Sequence, residues 1–427
     1  MTSATPSYLD QLASIDRSTS DPRQAAQQKG TLVGGWLKTE ALPFFAELRD
    51  RQPIYQGPPF AIVTKYADVM EMFNSDDVFT TDVFAPQIMR DIGPFVLGMR
   101  NSAEYDRQKS ILRLVFSRQD ITRIQTLVKQ ETSRILGGIA PGQQFDLIKD
   151  YTRMVPALVI RRYLGLESIP HTTIWQWTRA IFGDIFANIA GDPAIAEAAV
   201  NAQADAAPII AREIARRRRT IQRQGLGTPN VTVMDRLLAC QQNETTYLSD
   251  DQIRDNLLGM FVGTLSLTNI AILSAYGVLA GRPDILPDAK SAAKLPDHSA
   301  VGGYVWEALR FRPPGTGLFR SCVRDYTLAA GTPRATTIKA GTIVYGATAS
   351  AMHDADYIEN PTEFQVGRPD DSYLFFFSGL HSCLGKYFSQ IQVPISVQGL
   401  LNAGTIQFLG DMTLEAGFPD SWQVRLS

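Results

Sequence analysis

Cysteine, histidine and net charge are all scarce in this chain. Its 427 residues include three cysteines and four histidines, and 41 basic side chains nearly balance 43 acidic ones. Cys240, Cys322 and Cys383 are odd in number and far apart, which argues against a disulfide framework and for a reducing compartment. A net charge of −2 supplies no electrostatic reason to expect nucleic acid or an anionic membrane as a partner. Residues 1–30 are polar and lack the apolar stretch of a signal peptide or membrane anchor, so they read as a loosely held N-terminal tail. No linker-like break, low-complexity tract or internal repeat divides the rest. Residues 31–427 therefore read as a single domain, although length alone suggests about three. The expected location is cytoplasmic.

What is present is an ordinary globular composition, 44% hydrophobic and 20% charged, with mainly helical patterning. Leu42, Phe44, Phe45 and Leu48 space out a short helix. Two apolar runs around Ile54-Tyr55 and Phe60 to Val63 flank Gly57-Pro58-Pro59 as a small hairpin or meander, and a helix follows over Tyr66 to Phe73. Residues 84–99 are rich in apolar side chains and form either a loop over a pocket or loop residues packed on the core. Helical periodicity dominates from Ala103 to Gly281, with Trp175, Trp177, Ile181, Phe182 and Phe186 on one element. Arg216 to Arg219 read as the solvated C-terminal part of a helix, where positive charge suits the dipole. Ser249-Asp250-Asp251-Gln252 opens a further helix with a capping box, and no charge follows between Asp255 and Arg282. Such a run also fits a membrane span. Its Ser, Thr and Asn residues and the absence of positive flanks favour a buried central helix, on the order of 45 Å long. Short strands are expected at residues 327–329, 336–338, 342–344, 406–408 and 423–426. The fold class is mainly α with minor β.

The most informative stretch is Phe376-Phe377-Ser378-Gly379-Leu380-His381-Ser382-Cys383-Leu384-Gly385, which reads F-x-x-G-x-H-x-C-x-G. A thiolate that ligates heme iron needs a tight loop with backbone N–H groups aimed at the sulfur. Gly379 and Gly385 would permit the unusual φ/ψ and close approach this requires. The competing reading is a buried structural cysteine. No C-x-x-C-H is present, so a covalently attached c-type heme is not expected. Upstream, Glu307 and Arg310 sit three apart on one helical face, and Arg368 closes an F-x-x-x-R starting at Phe364. Two arginines sharing one glutamate would brace the Cys loop.

E-x-x-R, F-x-x-x-R and the Cys decamer, in that order within about 80 residues, resemble the cytochrome P450 family of heme-thiolate monooxygenases. The resemblance runs from about residue 31 to the end. It implies the cytochrome P450 fold, with heme b (iron protoporphyrin IX) between the long central helix and the Cys loop. It implies Cys383 as the iron ligand and Glu307, Arg310 and Arg368 as the structural triad. Arg320 and His381 match the family's propionate donors, and Tyr105 and Lys109 stand where other propionate partners are found. Phe376, Gly379 and Gly385 complete the cofactor loop.

The departures carry as much information. The family's A/G-G-x-D/E-T on the central helix is Val262-Gly263-Thr264-Leu265-Ser266 here. Gly263 keeps room above the iron and Ser266 keeps a hydroxyl, but Leu265 cannot relay a proton, so the O2 route is either handicapped or runs through water, Thr264, Ser266 or the substrate. Phe377 replaces a usual glycine and Gln392 a usual glutamate. Arg368-Pro369-Asp370-Asp371-Ser372-Tyr373 with Cys383-Leu384-Gly385 is also similar to the heme-thiolate domains fused to fungal fatty-acid dioxygenases, which isomerise lipid hydroperoxides. Two functions are therefore expected in order. The first is a monooxygenase using O2, with electrons from a separate ferredoxin or flavodoxin-type donor, since no flavin or iron–sulfur motif is present. The alternative is a hydroperoxide isomerase or peroxygenase that needs no reductase. A heme-based gas or redox sensor lacks any output domain in this sequence. Arg107, Lys109, Arg113 and Arg118 read either as a face for an acidic electron donor or as an ordinary solvated helix face. An apolar small-molecule substrate is expected, with Phe84, Phe95, Leu97, Phe182, Phe186, Val262, Leu318 and Phe319 as pocket walls or core.

Overall fold

The computed structural model describes residues 7–57, 60–188, 191–225, 232–415 and 417–427. Helices dominate, strands are short, and the chain divides into two compact units. The first comprises residues up to Val83 together with Gly315–Cys383, the second Phe84–Pro314 with Leu384–Ser427.

In the first unit the N-terminal segment is not a loose tail. Ser7 caps a helix at Tyr8–Ser18, Asp21 caps another at Pro22–Thr39, and Pro22 occupies a first-turn position where its missing N–H costs nothing. Both helices bury an apolar stripe, with Lys29 also buried and paired to Asp16. Leu12, Val33 and Trp36 pack with Phe44, Phe45 and Leu48 of the helix Ala41–Arg51, and Tyr8 meets Trp36 edge-on at 4.9 Å. Polar composition concealed a narrow apolar stripe. A five-stranded sheet runs in the order Ile54–Gly57, Phe60–Val63, Ile343–Gly346, Leu318–Cys322, Phe79–Thr80. The first pair is the expected antiparallel hairpin, Ile54 opposite Val63, although Pro58 and Pro59 lie outside the described residues. Phe60–Val63 pairs in parallel with Ile343–Gly346, which brings distant parts of the chain together. The helix Tyr66–Asn74 buries Val69, Met72 and Phe73 in the core beneath this sheet.

The second unit is organised on the helix Asp250–Ala280. Ser249 and Gln252 exchange the expected capping-box bonds at its start. Among the described residues this helix alone is long and apolar enough to cross a membrane, and 78% of its most apolar window is buried. It packs against the helices His171–Phe182, Pro193–Gln224, Ser299–Phe311 and Lys386–Asn402, which is why it is apolar all round. Residues 84–99 are not a plain loop: they form a helix at Ala85–Asp91 and a 3-10 turn at Val96–Gly98. The expected strands at 406–408 and 423–426 pair with each other, and Gln144–Asp146 joins them. A hairpin of Thr413–Glu415 with Phe418–Ser421 was not legible, since its strands are short and partly exposed. The arginine run lies near the end of Pro193–Gln224 as expected, yet it is less solvated than its charge suggests. Arg216 pairs with Glu213, Arg217 with Asp235 and Arg218 with Asp250.

Candidate active site

The Cys loop closes the first unit. The Cys383 backbone N–H donates to the Phe376 carbonyl at 2.9 Å and Ser382 N–H to the Gly379 carbonyl at 3.1 Å, so the chain doubles back tightly. Gly379 has φ +73, and a Cβ there would stand 2.2 Å from the Phe73 carbonyl oxygen; no other residue fits. Phe377, in the place of the usual glycine, also takes a left-handed φ of 55, and its ring packs 5.5 Å from Phe73. Gly385 does not meet the expectation of unusual backbone: φ −82, ψ 7 is open to any residue, and it serves as N-cap of the helix Lys386–Asn402. Cys383 is exposed, whereas Cys322 is buried with its Sγ on the Arg324 carbonyl at 3.0 Å, and Cys240 is half-buried.

Around the loop, Arg320 is 2% exposed on the strand Leu318–Cys322. One Nη1 donates to the Phe319 carbonyl at 2.9 Å and the guanidinium lies 5.1 Å from the Phe73 ring centre. His381 is half-buried. Phe319 packs on Tyr345 at 4.7 Å and Leu318 on the sheet core, so both are partly structural. Arg368 donates to the carbonyls of Glu359, Asn360 and Glu363 at 2.5, 3.0 and 3.1 Å, holding that loop through backbone in a way its spacing did not show.

In the second unit the stretch Val262 to Ser266 is resolved by helix facing. Val262, Leu265 and Ser266 are buried and Thr264 half-buried, while Gly263 is exposed, with nothing within 4 Å of where a Cβ would be. The Thr264 hydroxyl is occupied: it donates to the Met260 carbonyl one turn back at 2.7 Å. Among the described residues the Ser266 hydroxyl makes no hydrogen bond. The two hydroxyls that the sequence left equivalent are therefore different.

Tyr105 and Lys109 are brought together, both buried, with Nζ donating to the phenol oxygen at 2.9 Å. Glu307 and Arg310 form a two-pronged pair at 2.6 and 3.1 Å, each 0% exposed. Phe84, Phe182 and Phe186 meet as one aromatic cluster, with Phe84–Phe186 at 5.3 Å and Phe182–Phe186 at 4.7 Å. The cluster extends to Phe418 of the C-terminal hairpin at 5.9 Å, a residue with no signal in the sequence. Phe95 is instead laid on the central helix at Gly259, and Leu97 is half-buried in the 3-10 turn beside it. Of the four basic residues on or next to the helix Ala103–Val115, Arg107 is tied to Glu104 and Lys109 is buried. Arg113 and Arg118 stay exposed, Arg118 stacked over Tyr387 at 3.6 Å.

Among the described residues no group of three or more His, Cys, Asp or Glu side chains is placed to hold a bare metal ion. A single accessible thiol on a turn pinned from behind suits instead a metal that brings its own ring of donors and takes one from the protein. The Cytochrome P450 family profile matches residues 182–403. The chain belongs to the cytochrome P450 family. Pulcherriminic acid synthase of Bacillus subtilis (strain 168) is 23% identical over 367 residues, covering 82% of this chain and 85% of its own. Mycinamicin IV hydroxylase/epoxidase of Micromonospora griseorubida is 24% identical over 373 residues, covering 84% and 86%. The solved structure of P450BioI in complex with hexadec-9Z-enoic acid ligated acyl carrier protein matches with a TM-score of 0.77 at 18% identity, over 92% of this chain and 99% of that one. This cytochrome P450 is thus an oxidoreductase with the P450 fold, of the heme-thiolate monooxygenase type, and heme is its cofactor.

Proposed function

We propose that this cytochrome P450 places one oxygen atom from O2 into an apolar small molecule, drawing electrons from a separate ferredoxin or flavodoxin-type protein. Bound heme supplies the reductive activation of O2. The chain's part begins with Cys383, assigned as the iron ligand because it is the one exposed thiol, on a turn that only Gly379 lets close. That observation carries the reading. Arg320 and His381, with Tyr105 and Lys109, are assigned to the propionates, and Glu307, Arg310 and Arg368 to bracing. Residues 31–427 are read as one catalytic domain, and a cytoplasmic location belongs to the same reading.

On the central helix, Gly263 leaves space for substrate, and Ser266 Oγ is assigned to hold and pass the proton that the family's acid would supply. Thr264 is less suited, since its hydroxyl is held by Met260, and Leu265 is buried. The walls proposed for the substrate are aromatic and aliphatic with few polar groups, which excludes water and favours an apolar ligand. Arg113 and Arg118 are the remaining cationic groups for an acidic electron donor, so turnover should weaken with ionic strength.

Leu265 is the observation that favours a second reading, the hydroperoxide isomerase or peroxygenase. Its relatives include proteins named as hydroxylases and epoxidases, which supports the O2 route. The test runs two arms with the holoprotein. One mixes ferric protein with unsaturated fatty-acid hydroperoxides and no reductant; the other mixes lipophiles with surrogate ferredoxin, its reductase and NADPH. Hydroxylated product in the second arm alone supports the proposal, and rapid isomerisation in the first overturns it.

A further inference from the structure

Residues 93–95 run along one face of the central helix, and two close approaches key them there. At Gly93, φ +110, a Cβ would stand 2.4 Å from Asp255 Oδ2. At Gly259 a Cβ would stand 2.7 Å from both Cγ and Cδ2 of Phe95, the root of the ring rather than a flexible tip. Asp255, Gly259 and Gly263 are spaced by four and share one stripe of the helix. Along that stripe the helix is covered first by the Gly93 backbone and then by the Phe95 ring. At Gly263 it is open.

The segment carrying Phe95 is not free to retreat. Arg90 Nε pairs with Asp91 at 2.6 Å and its guanidinium also bonds Asp184, while Asn188 donates to Asp184 at 2.7 Å. Asp91 is 0% exposed, and Asp255 is bound by Arg254 at 2.7 Å. With the backbone held on the Gly93 side, a methyl group placed at residue 259 would displace the ring and not the chain, and the open neighbourhood of Gly263 is the room available.

We propose that Gly259 is a specificity-determining residue: by admitting the Phe95 ring onto the central helix it keeps that ring out of the space beside Gly263 and so sets the size of substrate the enzyme accepts. The proposal rests on the reading that Gly263 borders the substrate space. It assigns to a glycine without side-chain chemistry the task of shaping a wall made by another residue.

The test compares wild type, Gly259→Ala, Phe95→Ala and the double variant as holoproteins. Dissociation constants for imidazole and for the bulkier 4-phenylimidazole are read from the shift of the heme Soret band. Gly259→Ala should weaken 4-phenylimidazole by about tenfold or more and leave imidazole within about twofold, the scale of a pocket narrowed by a methyl group or more. Adding Phe95→Ala should restore the larger probe, and Phe95→Ala alone should tighten it. Equal loss of both probes, no loss of either, or no rescue in the double variant would overturn the proposal. If Gly259→Ala does not load heme, an unchanged probe ratio in Phe95→Ala overturns it and a ratio moved toward the larger probe supports it. A wild type without a thiolate-type reduced-CO band removes the underlying reading and this inference with it. A normal band with equal losses removes the inference alone.

Discussion

The Cys loop and the Val262 to Ser266 stretch, to which the proposed function assigns the chemistry, lie in different units and are built by opposite means. The loop is a backbone object: its shape depends on Gly379 at φ +73 against the Phe73 carbonyl and on the Cys383 N–H bonded to Phe376. The helical stretch has ordinary backbone, and its properties depend on facing. Leu265 and Ser266 are both buried, Thr264 is half-buried and bonded to its own helix, and Gly263 is open, so that of the buried pair Ser266 alone carries a hydroxyl. A backbone object tolerates almost no substitution and so writes a fixed pattern into the sequence. A helix face tolerates exchange, so its pattern drifts and its role emerges from packing.

The largest break in this comparison is Cys383→Ser. It should abolish the thiolate position of the reduced-CO band. A band left in place would refute the ligand assignment. Glu307→Ala should come next, costing about 3–5 kcal/mol in denaturant unfolding, since it removes the carboxylate paired with a buried Arg310. Gly379→Ala should cost about 1–3 kcal/mol from the left-handed backbone alone and lower heme occupancy further through the Phe73 clash. An Ala at residue 385, by contrast, should be nearly silent on backbone grounds. On the helix, Ser266→Ala should reduce product formed per reductant by about tenfold or more, whereas Thr264→Ala should do much less. Equal effects would mean that facing does not choose the relay.

The smallest effect is one of pH. Burial pushes the carboxyls of Asp91 and Asp255 up to about 6. Arg90 and Arg254 oppose this, and Asp184 and Asp251 reinforce it. A raised acid contributes stability below its unfolded value and loses it as pH rises through the folded one. Melting temperature should therefore drift down between pH 4 and 7 from these two groups, and Asp91→Asn should flatten that slope.

Much of this was readable beforehand. The Cys decamer, the buried Glu307–Arg310 pair, the capping box at Ser249 and the apolar central helix follow from local rules of turn, spacing and periodicity. The N-terminal helices were missed because a narrow stripe of Leu12, Val33 and Trp36 is diluted by polar neighbours. Phe418 was missed because short exposed strands carry no period, and Gly259 because a glycine inside a helix declares no partner. The positive face shrank from four residues to two because Lys109 turns inward to Tyr105 and Arg107 to Glu104.

By itself, then, the sequence determined where backbone geometry admits one solution: a thiol on a glycine-pinned turn, a glutamate paired with an arginine a turn away, a long helix without charge. Only the tertiary structure decided which of Thr264 and Ser266 has a hydroxyl to offer, which aromatic rings meet, and that Phe95 rests on Gly259. The ring contacts join residues distant in the chain and impose no spacing that a linear pattern can record, while the Thr264 bond is local but depends on a side-chain rotamer that spacing does not write.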